Sequence, residues 1–259
     1  MDTINFLGIP IRLSSKDNIL EDIKKYLKTG GPMYHIISLN SENAVVAYTN
    51  EAFKKVYLTA QSVIVDGSGV VTAVQMLYGI KPYHITGDDF MDEVIKVAVE
   101  KHSTVLLVGG RPNLALDLSK CYSQKYPNAK FYGTEGFVDL SRPSEEEERH
   151  FFDIVTARRP QFIFAAFGSP AQELWFWNNR KRFQDTVCMG VGGAFDYKGG
   201  LISRAPIILR KLGLEWLYRL MVQPWRIKRQ LSLFSFMAIV FRELRRQRVR
   251  NTVAPKART

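Results

Sequence analysis

The sequence predicts an α/β fold: a Rossmann-like, mostly parallel sheet with helices on both faces, followed by a basic amphipathic helical C-terminal appendage. Three observations predict it. Short apolar runs alternate with segments of 3.6-residue periodicity through the first 200 residues. Most of those runs end in a turn that carries glycine or asparagine. Beyond Leu201 the composition changes: 14 Lys/Arg stand against two acids, Glu215 and Glu243, a net of +12 in a chain whose total is +11. Residues 1–200 therefore carry about −1.

In chain order the expected strands are Tyr34–Leu39, Ser62–Val65, Tyr83–Thr86, Thr104–Val108, Lys130–Tyr132, Phe162–Phe167 and Val187–Val191. Helical periodicity marks Asp88–Glu100, Pro112–Tyr122, Glu145–Arg158 and Pro170–Phe183. Ser144 before four glutamates suits an N-cap with an acidic first turn, and Pro112 and Pro170 suit first helical positions. Residues 1–205 form the expected catalytic body, 206–250 the appendage and 251–259 a disordered tail. Within the appendage Gln223-Pro224 divides the tract, with Pro224 opening a new helix.

Bulk properties narrow the class. A hydrophobic content of 46% with 12% aromatics is that of a globular protein. Cys121 and Cys188 lack CxxC or Cys/His spacing, which points to a reduced, cytosolic protein without structural zinc. The N-terminus has neither a basic segment nor a long apolar core, so no signal peptide is expected. The longest apolar stretch, Leu231–Phe241, has eleven residues, well short of the ~18–20 needed to span a bilayer.

In an open parallel sheet, ligands bind beyond the carboxyl ends of the strands. The residues there are Asn40 and Asn43, Asp66-Gly67, Gly87-Asp88-Asp89, Gly109-Gly110, Gly168-Ser169 and Gly192-Gly193. Glycine turns admit close ligand approach, and helix N-termini attract phosphate; several converging on one edge favour a phosphate-bearing ligand over simple tight turns. Asp66 suits a general base, although on local pattern alone a cap or turn residue is the simpler reading. Asp88 is most simply a cap. Asp196 suits either substrate binding or turn closure. No Walker loop, GxGxxG, GxSxG, HExxH or DxD triplet is present, so neither a metal site nor a cofactor is expected. The four histidines are scattered and read as structural or surface residues.

The blocks DGSGVV (Asp66–Val71), FGSPAQE (Phe167–Glu173), GVGGAFDYKGG (Gly190–Gly200), RAP (Arg204–Pro206) and GLEWLYRLMVQPWRIKRQ (Gly213–Gln230) resemble, in the same order, those of the WecG/TagA/CpsF glycosyltransferases, glycosyltransferase family 26. The resemblance runs from about Ile4 to Leu231. It implies an inverting, metal-independent transferase that moves a sugar from a UDP-sugar to a polyprenyl-diphosphate-linked saccharide at the cytoplasmic membrane face. Such enzymes build teichoic acid linkage units, common antigen, capsule or exopolysaccharide. The family's aspartate base corresponds to Asp66. Its Thr-x-Asn corresponds to Ser38-Leu39-Asn40, where serine replaces threonine, and its PxQE segment places Gln172 and Glu173 at the substrate. Three tail arginines that reach the active site in the family correspond to Arg219, Arg226 and Arg229. Gly109, Gly110, Gly192, Gly193, Asp196 and Arg204 complete the expected substrate-binding set.

That assignment is chemically coherent. Departure of UDP leaves extra negative charge on a diphosphate, and guanidinium groups neutralise phosphate at any working pH. The appendage interleaves its cations with Trp216, Leu220, Trp225, Leu231, Phe234 and Phe236. This pattern suits an anionic membrane surface, with each basic residue contributing roughly 1 kcal/mol. The alternative is a helix packed on the body or in a homo-oligomer. A nucleic-acid-binding protein would also explain the pI of 9.6, but its charge would spread over a polar face without interleaved Leu, Phe and Trp. A nicotinamide-dependent oxidoreductase lacks its fingerprint.

Overall fold

The computed structural model describes residues 3–206, 208–209, 215–222 and 227–253, with side chains described at all of these but 215, 219, 227–230 and 250–253. Six parallel strands form the central sheet: β3 (Tyr34–Leu39), β4 (Ser62–Val65), β5 (Thr104–Gly109), β6 (Lys130–Thr134), β7 (Phe162–Ala166) and β8 (Val187–Gly190), in the order β4-β3-β8-β7-β5-β6. A separate antiparallel hairpin, β1 (Thr3–Phe6) and β2 (Ile9–Arg12), precedes them. The Rossmann-like reading holds, with one correction among the strands. Tyr83–Thr86 forms only an isolated bridge, His84 to Val65, because Tyr83 and His84 are solvent-exposed and the segment has no second strand to pair with.

Helices cover both faces. Alternation within each strand divides the sheet between them: Ile36, Ile64, Val105, Leu107, Phe162, Phe164 and Met189 face one side, beneath α1 (Lys16–Thr29), α5 (Gly87–Glu100) and α6 (Leu114–Lys125). Ile37, Val63 and Val65 face α2 (Ser41–Thr49), α3 (Glu51–Thr59) and α4 (Ser68–Tyr78) on the other side. Leu106, Ile163 and Cys188 meet an aromatic cluster from α7 (Glu145–Arg158) and α8 (Ala171–Asn178) on that same side. There Phe151, Trp175, Phe176 and Phe183 pack with ring centroids 5.1–6.5 Å apart.

Helix α7 starts as expected. Ser144 caps it, and Glu147 closes a capping box with the Ser144 N–H. Elsewhere the proline signals miss by one or two residues. Helix α6 begins at Leu114 after Asn113, and Pro170 stands just before α8, which gives way to a 3₁₀ turn at Arg180–Arg182. Asp88 is not a cap; the Thr86 hydroxyl takes that place on α5, accepting the Asp89 N–H.

After the five-residue α9 (Ala194–Lys198), the chain reaches α10 (Glu215–Val222) and α11 (Ile227–Val253). The helix break falls between Val222 and Ile227; Pro224, expected to open the second helix, lies outside the described residues. Helix α11 runs to Val253, three residues into the segment expected to be disordered. It lies on α2 and α4. Phe236 and Val240 are buried there with Leu233 and Leu244 beside them, and the Phe236 ring stands 6.4 Å from that of Phe6. Four positions spaced three or four apart thus turn one stripe of α11 into core. A second stripe stays outside: Leu231, Phe234 and Phe241 are more than half exposed. The described residues contain no helix long and apolar enough to cross a membrane.

Candidate active site

Strand order locates the crevice. The chain leaves β5 for β6 on one side and leaves β7 for β8 on the other, so the connections part above the β5–β7 pair. A ligand cleft opens at such a point. The turns along this edge are those singled out from the sequence. Gly109 ends β5 and Gly110 follows it, at φ +83° and +88°, and Gly168 follows β7. Gly192 and Gly193 follow β8 and lead into α9. Asn40 and Asp66 follow β3 and β4.

Asp66 is set by its neighbours. Its N–H donates to the Leu39 carbonyl at 2.9 Å, and its Oδ2 accepts the Gly87 N–H at 3.2 Å. The cap reading gives way here, because the residue that opens α4 is Gly67, at φ +101°, with no side-chain cap. That conformation costs glycine little and any other residue much. Gly87 also creates the approach: a Cβ on it would lie 3.0 Å from Ser38 Oγ and 3.3 Å from Asp66 Oδ2. The Ser38 hydroxyl and the Asp66 carboxylate therefore border the same small space, roofed by bare backbone.

A buried polar chain joins that space to the glycine turns. The Ser38 carbonyl accepts from Asn43 Nδ2 at 3.0 Å and from the Tyr57 hydroxyl at 2.9 Å. Ser169 Oγ, in the turn after β7, donates to Asn43 Oδ1 at 2.8 Å. Gln172 Nε2 donates to Glu173 Oε1 at 2.8 Å, which orients the amide so that Gln172 Oε1 accepts the N–H groups of Gly168 and Gly192, each at 3.1 Å. Burial raises the Glu173 carboxyl above its ordinary value and favours the neutral acid. Gln172 and Glu173 thus face inward, 4% and 1% exposed. They hold the turns that border the cleft.

Asn40 caps α2, its Oδ1 accepting the Asn43 N–H at 2.9 Å. Asp196 closes a turn through its carbonyl, which accepts from Leu201 and Ile202, while its carboxylate pairs with Arg111 at 3.0 Å. Arg204 pairs with Asp88 at 2.9 Å and Asp89 at 2.6 Å, and Lys198 reaches Asp88 and Asp92 at 3.2 and 2.6 Å. Arg226 lies outside the described residues, as do the side chains of Arg219 and Arg229. Sequence reasoning passed over Tyr57 and the Lys198–Asp88 pair, which join segments far apart in the chain and leave no local pattern. It noted Asn43 only as a turn residue. The 19-residue separation of Ser38 and Tyr57 carries no periodicity that would reveal their bond.

Replacing Gln172 with leucine removes the shared acceptor from two N–H groups and the donor from Glu173. We expect a loss of about 2–3 kcal/mol in denaturant unfolding, the usual cost of stranded buried polar groups. An unchanged midpoint would show that the two turns hold without it.

The family model described as "Glycosyl transferase WecG/TagA/CpsF family" matches residues 4–250. A protein of Staphylococcus aureus (strain NCTC 8325 / PS 47) is 31% identical over 235 residues, 90% of this chain and 90% of its own, and is named N-acetylglucosaminyldiphosphoundecaprenol N-acetyl-beta-D-mannosaminyltransferase. The proteins of the same name from strains COL and MRSA252 show the same identity and coverage. This chain belongs to the WecG/TagA/CpsF glycosyltransferase family.

Proposed function

We propose that the protein transfers one sugar from a UDP-sugar to a polyprenyl-diphosphate-linked saccharide, with inversion and without a metal, during assembly of a bacterial cell-surface polysaccharide. The observation that carries this reading is the Asp66 carboxylate, fixed by Gly87 N–H beside the Ser38 hydroxyl at the carboxyl edge of the sheet. The relatives named above act on an undecaprenyl-diphosphate-linked N-acetylglucosamine by name, which supports the acceptor class.

The step follows from the parts. An acceptor hydroxyl oxygen attacks the anomeric carbon and its proton passes to Asp66. The bond from that carbon to the β-phosphate oxygen breaks, and UDP departs with the electron pair. A single displacement inverts configuration; retention would require a second, nucleophilic carboxylate. Charge on the departing diphosphate falls to Arg219, Arg226 and Arg229, which the resemblance brings to the site, and to the glycine-turn amides. Asn40, Asp196 and Arg204 border or brace the substrate cleft.

The outer stripe of α11 supports a peripheral place on an anionic membrane, at the inner face where such acceptors are made. Phe234, Met237 and Phe241 are exposed along it, with Arg242, Arg245 and Arg246 alongside. Apolar burial and lipid attraction together supply the two signals that stable anchoring needs.

The test is a panel of UDP-sugars, UDP-N-acetylmannosamine included, against undecaprenyl-diphosphate-N-acetylglucosamine and its short-chain analogues. Product mass identifies the sugar and NMR the anomeric configuration. We expect an inverted product and turnover that survives EDTA. A retained configuration overturns the single displacement, and a requirement for Mg²⁺ or Mn²⁺ overturns the arginine assignment.

A further inference from the structure

The three residues Ile85 to Gly87, with His84 before them, strap the Asp66 turn from outside. Ile85 N–H donates to the Val65 carbonyl at 2.9 Å, and Gly87 N–H donates to Asp66 Oδ2 at 3.2 Å. One residue beyond Asp66 in the turn, Gly67 N–H donates to His84 Nε2 at 3.1 Å. Val65, Asp66 and Gly67 are thus each held by a bond to the same segment. Two of the three bonds use backbone N–H groups of that segment and are indifferent to its side chains. The third depends on one side chain.

The bond to His84 has a strict chemical requirement. An N–H donor needs a lone pair, and an imidazole nitrogen offers one only when it carries no proton. The proton of the neutral ring must then sit on Nδ1. The bond matters because Gly67, at φ +101°, opens α4 with no side-chain cap, and the His84 ring meets its N–H in the turn that aims Asp66.

We propose that His84 is a positioning residue for Asp66: as the neutral Nδ1–H tautomer, it accepts the Gly67 N–H and holds the turn that aims the Asp66 carboxylate. The proposal rests on the transferase reading with Asp66 as base. His84 does not touch the reacting atoms in this account. It sets the base's direction, and misplacement of a reacting group by about 1 Å costs up to about a hundredfold in rate.

Three variants of the full chain test it. His84→Leu removes the acceptor, and His84→Gln restores one, since a glutamine Oε1 can occupy the place of Nε2. With the donor and lipid-linked acceptor that the wild type uses, His84→Leu is expected to lower kcat by about tenfold or more with donor KM within about twofold, the mark of an effect on the reacting geometry alone. His84→Gln is expected to recover kcat to within about threefold of wild type. Asp66→Asn combined with His84→Leu is expected to be no slower than Asp66→Asn alone, because a group that acts through Asp66 has nothing left to position. Nitrogen-15 NMR of the wild type should show His84 as the Nδ1–H tautomer, a readout independent of turnover and of whether His84→Leu folds well. Wild-type kcat in His84→Leu overturns the proposal, as does a failed glutamine rescue, a further loss in the double variant, or an Nε2–H ring. A wild type without transferase activity overturns the parent reading instead, while the tautomer measurement still reports on the tether.

Discussion

Asp66→Asn is expected to lower the transfer rate by about 10³-fold, within the range that a general base contributes, while the fold and UDP binding persist. The substitution is mild in shape. The amide oxygen can still accept the Gly87 N–H that now bonds Asp66 Oδ2, so the turn keeps its strap and Ser38 keeps its neighbour. What is lost is the capacity to take a proton from the attacking hydroxyl. Rates from a discontinuous product assay, set beside circular dichroism and calorimetric titration with UDP, separate chemistry from folding and binding. Turnover within about tenfold of wild type would remove Asp66 from the base role.

Phe236→Ala should be the most damaging single substitution in the appendage, lowering unfolding free energy by about 3–5 kcal/mol, the range for truncating a buried phenylalanine. Phe236 is fully buried in the cluster with Phe6, and its Cε1 stands 3.9 Å from the place a Gly69 Cβ would take. Denaturant unfolding followed by tryptophan fluorescence measures it. A loss below about 1 kcal/mol would mean that α11 is not seated on the body in solution. The packing also changes how truncation should be read. Removing everything beyond 206 takes away the tail arginines and strips Phe236 and Val240 from the core together. Inactivity of such a body would say little about the arginines, whereas single substitutions of Arg219, Arg226 and Arg229 address them directly.

Much of this architecture is legible in the residues, for identifiable reasons. Five of the six strands of the main sheet are mostly buried and largely apolar, and glycine or asparagine ends most of the six; the edge strand β6 buries only Phe131. The β1–β2 hairpin escapes notice because its two-residue turn is Leu7-Gly8, with both residues at positive φ. Leucine stands where Asn or Asp would usually announce such a turn. Tyr83–Thr86 looks like a strand by composition, yet together with Gly87 it serves as a strap whose value lies in three single bonds. Membrane binding and packing on the body compete as readings of α11 in the sequence, since neither the Leu231–Phe241 run nor its charges say which apolar stripe meets the core. The fold uses one stripe for packing and leaves another exposed.

The site divides in the same way. Asp66 is visible from its place at a strand end, whereas Ser38 comes only through the family's Thr-x-Asn motif. Gln172 and Glu173 lie in the family's substrate motif, and their burial shows that they act on the turns. Arg204, expected at the substrate, is committed to Asp88 and Asp89. Partners of that kind, 115 residues apart for Arg204 and Asp89, arise from topology and leave no trace in local spacing.

The ion cluster at the start of α5 bears on how freely these enzymes can exchange parts. Lys198 and Arg204 belong to the stretch that leaves the body for the appendage, and both are pinned to the first two turns of the helix whose Gly87 N–H holds Asp66. The appendage can therefore be exchanged only at a junction beyond these two pinned residues. A chimera joined downstream of Arg204 keeps the Asp66 carboxylate and the incoming segment registered to one helical origin. A chimera joined upstream of Lys198 breaks that shared datum, even when every residue lining the cleft is preserved.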